Sequence, residues 1–220
     1  MMNIFKFLHH NKKDTKENTT PFDYKNNVTI AGRVVNKFAT DKVTILTIGV
    51  YKNVSNFPKV LFFGDNCKKA AQFNNGDMVK IYANIQSSRI EPGKNQRSVS
   101  VFGDSIERMD DSCLTDFYDA TYSINRIEVS GDVTDVVNWN NVQKIRIRTY
   151  KNNRVSCVPV DYYYNNGNSQ LDVKVGDRVS VMGIVQTRKK SLDNKAVYFE
   201  NYVARNVIIH DVSCSELETA

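Results

Sequence analysis

Alternation of apolar and polar residues is the dominant pattern along this chain, and it predicts strands. Residues 142–150 read VQKIRIRTY, with Ile145 and Ile147 on one face and Lys144, Arg146, Arg148 and Tyr150 on the other. Strict alternation puts one face in a core and the other in water. VKIYANI (79–85) and VSVMGIV (179–185) alternate too, and each follows a Gly-Asp pair suited to a turn. Long helical patterns are absent. The best helix candidate is the short DNCKKAAQF, residues 65–73.

The strand pattern repeats. NVTIAGRVV, starting at Asn27, resembles RIEVSGDVT, starting at Arg126, with Gly32 matching Gly131. Tyr51-Lys52 recurs as Tyr150-Lys151, and GDMVKIYANIQS from Gly76 recurs as GDRVSVMGIVQT from Gly176. Three matches in the same order, offset by about one hundred residues, are too widely spaced for a solenoid and predict two separate units.

Each copy then holds roughly five short strands, the first with a helix between its third and fourth. A sheet with so few strands removes its exposed edges by closing into a barrel. Gly32 and Gly131 suit the bend where one strand serves both halves of such a barrel. The expected fold is all-β: two tandem five-stranded barrels of the OB type, although periodicity alone also fits an SH3-like barrel. The expected division is a flexible N-terminal arm (1–26), a first OB domain (27–109), an acidic linker (110–124), a second OB domain (125–210) and a C-terminal tail (211–220).

The stretch KVLFFGDNCKKAAQFNNGDMVKIYANIQSS, residues 59–88, resembles the bacterial and phage single-stranded DNA-binding proteins. It carries an apolar strand ending Phe-Gly, an alanine-containing helix, a glycine turn and a strand leading into a basic hairpin. The opening NVTIAGRVV resembles that family's first strand. The second copy is similar mainly through its first strand and its Gly-Asp strand, and has VPVDYYYNNGNSQ in place of Phe-Gly and the helix. The resemblance implies an OB barrel whose exposed face stacks bases on aromatic rings. By position it implies stacking roles for Tyr51, Phe57 and Phe63 and a phosphate contact for Lys59. Ile90 stands where the family often has another aromatic, and the ending SELETA lacks its terminal Pro-Phe. The resemblance also implies a homodimer of four barrels, serving DNA replication, recombination or transfer in a bacterium, phage or mobile element.

Charge strengthens this picture. The net charge is +6, the two long segments carry the positive excess, and the stretch after each is acidic. Single strands expose base faces and phosphates, so a sequence-tolerant binder wants flat aromatics spaced among cations. Phe57, Lys59, Leu61 and Phe63 share one strand face, with Val60 and Phe62 turned to the core. In the second copy Arg146, Arg148 and Tyr150 share a face with Lys144. The hairpins after the fourth strands add Arg89, Lys94 and Arg97 in one copy, and Arg188, Lys189 and Lys190 in the other. Each has a plainer reading. A strand aromatic is often core, a basic row can be a solvated face or a charged edge, and hairpin cations can be merely solvated. Tyr162, Tyr163 and Tyr164 fit a stacking loop or a protein contact equally.

The expected function is non-catalytic, sequence-tolerant binding of single-stranded DNA. Two alternatives stay open: an OB module for protein–protein assembly, and an RNA binder, since stacking alone does not separate ribose from deoxyribose. A nuclease would need a carboxylate cluster on a structured site, and Asp110, Asp111, Asp116 and Asp119 fall in the linker. His9, His10 and His210 have no catalytic partners by spacing. Cys67, Cys113, Cys157 and Cys214 lie far apart, which argues against a zinc site and fits a cytoplasmic protein. No cofactor, metal or membrane partner is expected, the apolar run from Ile4 to Leu8 being too short to span a bilayer.

Overall fold

The computed structural model describes residues 22–51, 54–88, 98–110, 121–164, 169–192 and 195–210. Ten strands and one helix follow in the order β1 (Lys25–Ala39), β2 (Val43–Gly49), β3 (Lys59–Phe63), α1 (Asp65–Ala71), β4 (Met78–Ser87), β5 (Val99–Arg108), β6 (Ile124–Trp139), β7 (Val142–Lys151), β8 (Arg154–Tyr163), β9 (Arg178–Leu192) and β10 (Lys195–His210). Two rings close on themselves, β1-β2-β3-β5-β4-β1 and β6-β7-β8-β10-β9-β6. In each ring one parallel pair, β3–β5 or β8–β10, sits among antiparallel ones. The fold is all-β, two five-stranded OB barrels with one short helix in the first.

The first strand of each copy makes closure possible. The N-terminal half of β1 pairs with β4 and its C-terminal half with β2, the change of partner falling at Gly32–Arg33. A Cβ on Gly32 would lie 2.2 Å from the carbonyl oxygen of Gly49, and one on Gly131 2.1 Å from that of Arg148. Only glycine admits so close a backbone approach. A bulge follows in both copies, between Val34 and Asn36 and between Val133 and Asp135. It bends the strand further around the barrel. The Gly-Asp pairs are turns: Gly76 and Gly176 have φ of 96° and 98°, a region costly for any other residue. Each donates its N–H back to the bulge, to Val34 at 2.8 Å and Val133 at 2.9 Å.

The alternation predicted for residues 142–150 is present, with Ile145 and Ile147 in the core and Lys144, Arg146, Arg148 and Tyr150 outside. In β3, Val60 and Phe62 are buried and Phe63 is exposed. Helix α1 closes the floor of barrel one with Cys67 and Ala70, and Thr44 Oγ1 donates to the Cys67 carbonyl at 3.0 Å. In barrel two the described part of the corresponding segment, residues 169–175, is irregular. The counterpart of Thr44 there is the longer Gln143, fully buried, which reaches this segment with both ends of its amide: Nε2 donates to the Leu171 carbonyl (3.1 Å) and Oε1 accepts from the Leu171 N–H (3.3 Å).

The barrels are one continuous sheet. β1 and β6 pair antiparallel from Lys25↔Ser130 to Ala31↔Ile124. Matched contacts flank this seam. Phe57 N–H donates to Thr187 Oγ1 (3.1 Å) and, at the equivalent place, Cys157 N–H donates to Ser87 Oγ (3.2 Å).

Gln143→Leu keeps the volume but leaves both Leu171 groups unpaired in a buried floor. It should cost about 1–3 kcal/mol, read as a lower urea midpoint, while Thr44→Val should cost less because it removes one carbonyl bond and a weak contact to the Cys67 thiol.

Candidate nucleic-acid interface

The outer surface of β1, β2 and β3 in barrel one is apolar and aromatic. Register places Phe38 beside Ile45, Ile45 beside Leu61 and Leu61 beside Phe102, so these four form a row across the sheet. In the next row Val43 lies beside Phe63. Phe63 is 48% exposed and stacked on Phe102, centroids 5.4 Å apart and planes within 20°. Phe38 is 56% exposed. Together they make a flat, wet aromatic floor, an unusual use of phenylalanine unless something covers it.

Lys59, exposed, stands at the margin of this floor beside Thr47. Its backbone N–H is anchored by barrel two, donating to Glu200 Oε1 at 2.6 Å. Burial pushes the Glu200 carboxyl above its ordinary range, against the N–H and charge of Lys59, which favour the carboxylate. Tyr51 and Phe57 are half-buried and meet edge to face at 6.1 Å. The Tyr51 hydroxyl lies 2.5 Å from where a Cβ on Gly49 would sit, so this ring is laid down against its own strand.

Barrel two presents a different surface. Register sets Arg148 opposite Asp132, Arg146 opposite Asp135 and Lys144 opposite Val137. Both arginines pair with these aspartates, Arg148–Asp132 at 3.4 Å and Arg146–Asp135 at 3.7 Å. Asp132 also takes Arg178 at 3.7 Å and the Tyr24 hydroxyl at 3.1 Å. Burial, then the Asp132 hydrogen bond and charge, raise the Tyr24 phenol above its ordinary value. Tyr24 in turn meets Tyr150 edge to face at 5.0 Å. The basic row thus lies beside its own carboxylates.

Arg188 and Lys189 are exposed on β9, and Lys190 follows them with its side chain outside the described residues. Arg188 donates to the Tyr163 hydroxyl and lies 5.4 Å from that ring's centroid. Arg89, Lys94 and Arg97 lie outside the described residues, as do Asp111, Asp116, Asp119, Cys113 and Cys214. Among the described residues no cluster of metal-ligating side chains occurs, and Cys67 and Cys157 are unpaired thiols. No described helix is long and apolar enough to cross a membrane.

Sequence reasoning missed Phe38, Phe102, Trp139 and the aspartates of β6. For Phe38 and Trp139 the bulge resets the alternation, so parity counted from the strand's start gives the wrong side. Phe102 needed the parallel β3–β5 pairing, which no local pattern announces.

No family model matches the chain, and no curated protein matches it in sequence. Among solved structures, it is similar to a deletion mutant of the single-stranded DNA binding protein from Thermus aquaticus, with a TM-score of 0.61 and 13% identity over 88% of this chain and 98% of that one. The wild-type protein from the same organism gives a TM-score of 0.60 at 13% identity, over 86% and 95% of the two chains. At this identity the likeness is one of fold.

Asp132→Asn removes the charge that Arg148 and Arg178 share. A loss of about 1–2 kcal/mol in urea unfolding is expected, shrinking as salt screens the pairs. A variant as stable as the parent at low salt would show the pairs to be idle.

Proposed function

We propose that this chain binds single-stranded DNA without regard to sequence and catalyses nothing. The observation that supports this best is the pair of exposed rings Phe63 and Phe38, with the half-buried Phe102 stacked on Phe63, beside Lys59 on barrel one. Stacking platforms next to a cation are what a single strand offers partners for: every base has a π-face and every linkage a phosphate. The two similar structures belong to a single-stranded DNA binding protein, which favours the same ligand here. The stacking set is Phe63, Phe38, Tyr51 and Phe57, with Lys59, Lys144, Arg188 and Lys189 along the backbone path. Arg89, Lys94, Arg97 and Lys190 extend that path on the hairpins.

In this reading residues 27–109 and 125–210 are the two binding units, joined by the acidic 110–124. The chain works in the cytoplasm as a homodimer, covering intermediates of replication, recombination or transfer in a bacterium, phage or mobile element.

Fluorescence-anisotropy titration with a dT oligomer, its duplex and a matched RNA, at two salt concentrations, tests the proposal. Tight binding of dT, weak binding of duplex and affinity falling with salt are expected. Phe63→Ala should weaken dT binding by roughly 5- to 100-fold, the worth of about one stacked base. Equal, weak binding to all three, unmoved by Phe63→Ala, would discard the proposal in favour of a protein partner.

A further inference from the structure

Register, rather than sequence similarity, identifies the counterpart of Phe63 in barrel two. Phe63 lies opposite Val43 on the second strand of its barrel, and Tyr163 lies opposite Val142 on the second strand of the other. Val43 and Val142 are the first residues of β2 and β7. Each ring is backed by a partner from elsewhere in its barrel. Phe63 stacks on Phe102, and Tyr163 carries Arg188 against its ring and hydroxyl. Across the sheet the same row continues to Trp139, which pairs with Val142 and is 67% exposed, the largest exposure of any aromatic among the described residues. Trp139, Val142 and Tyr163 therefore lie side by side on one face. The two aromatics stand roughly 10 Å apart, two inter-strand spacings, over a low valine floor.

We infer that Trp139 and Tyr163, with Arg188, form the nucleobase-stacking site of barrel two, and that the Arg146–Arg148 row is not that site. This rests on the single-stranded DNA reading and assigns where the second barrel acts. The physical grounds are two. An arginine held by its own aspartate must give up that pair before meeting a phosphate, and the incoming phosphate meets Asp132 and Asp135 as like charges. Trp139 has no ion pair to give up: its indole is the largest stacking surface a side chain offers, and it stands in water, with Lys144 in the neighbouring row of the same face set between Val137 and Asp161. Tyr164 fixes the hairpin that presents it, its N–H donating to the Asn141 carbonyl at 3.2 Å and its hydroxyl to the Asn140 carbonyl.

Trp139 is the only tryptophan in the chain, so its emission reports on this site alone. The full chain is titrated with a dT oligomer and with an abasic oligomer of the same length, following Trp139 fluorescence and labelled-oligomer anisotropy together. The expected result is quenching by dT, little change with the abasic strand, and a roughly 5- to 100-fold loss of dT affinity in Trp139→Ala and Tyr163→Ala. Trp139→Phe should keep most of the affinity, and Asp135→Asn should not weaken it. Binding of dT with Trp139 emission unchanged and both alanine variants unaffected would overturn the assignment while leaving the proposed function standing. Equal quenching by the abasic strand would also overturn it, by reducing the site to a backbone contact. Failure of the parent chain to bind any oligomer would remove the proposed function, and this inference with it.

Discussion

The pairing of β1 with β6 is the constraint on which the rest of the structure depends. A strand's two edges both need hydrogen-bond partners or solvent. In each barrel the first strand is already divided, half to the fourth strand and half to the second. The remaining edge of each N-terminal half is satisfied by the other barrel, over Lys25–Ala31 against Ile124–Ser130. That single seam turns two closed rings into one sheet and fixes which loops face which. Its consequences reach the candidate interface directly. The Phe57 N–H is held by Thr187 and the Lys59 N–H by Glu200, both from barrel two. The strand bearing the aromatic floor of barrel one is thus set in place by its neighbour, and the two barrels form one continuous sheet rather than two beads on a string.

Within that shared frame the copies have diverged by compensation. Barrel one closes its floor with a helix, so a short Thr44 suffices to tie it down; barrel two has the irregular residues 169–175 there and a Gln long enough to bond both groups of Leu171. The outer faces diverged too. Where barrel one has Ile45 and Thr47, barrel two has Lys144 and Arg146, and the β6 aspartates accompany the change. A surface row of cations alone would repel itself, and cross-strand carboxylates relieve that cost. The charge of the row is therefore largely answered within the sheet that carries it.

The fold was legible because its determinants are local. Alternation gave the strands, Gly-Asp gave the turns before β4 and β9, and the glycine repeat marked the two bends. Even the interior face of β7 could be read residue by residue. The site was legible only in part. Phe63 and Lys59 could be placed because β3 is short and regular. Phe38 and Trp139 lie past a bulge, where parity counting fails, and Phe102 reaches Phe63 through a parallel pairing between distant segments. The ion pairs of Arg146 and Arg148 depend on register across that same bulge, so a row that reads as bare charge in sequence is half neutralised in three dimensions. Tyr162, Tyr163 and Tyr164 were indistinguishable in sequence. Register alone singles out Tyr163.

To a bound strand the two barrels would be unequal partners. Stacking energy comes from ring faces left in water, and ion-pair energy from charges left unanswered. By the first measure barrel one offers the broader floor, with Phe38 and Phe63 open above Ile45 and Leu61. By the second, neither barrel offers a long unopposed basic track among the described residues, since the β7 arginines are paired and Lys59 sits at the margin of its floor. A strand crossing both barrels would gain most from bases and less from phosphates than the net charge of +6 suggests. Its salt dependence would accordingly be shallower than a count of lysines and arginines implies, because counterions are released only by cations that actually meet phosphate. On the proposed reading a bound strand would thus be held chiefly by the aromatics, with charge supplying approach and alignment rather than the greater share of the grip.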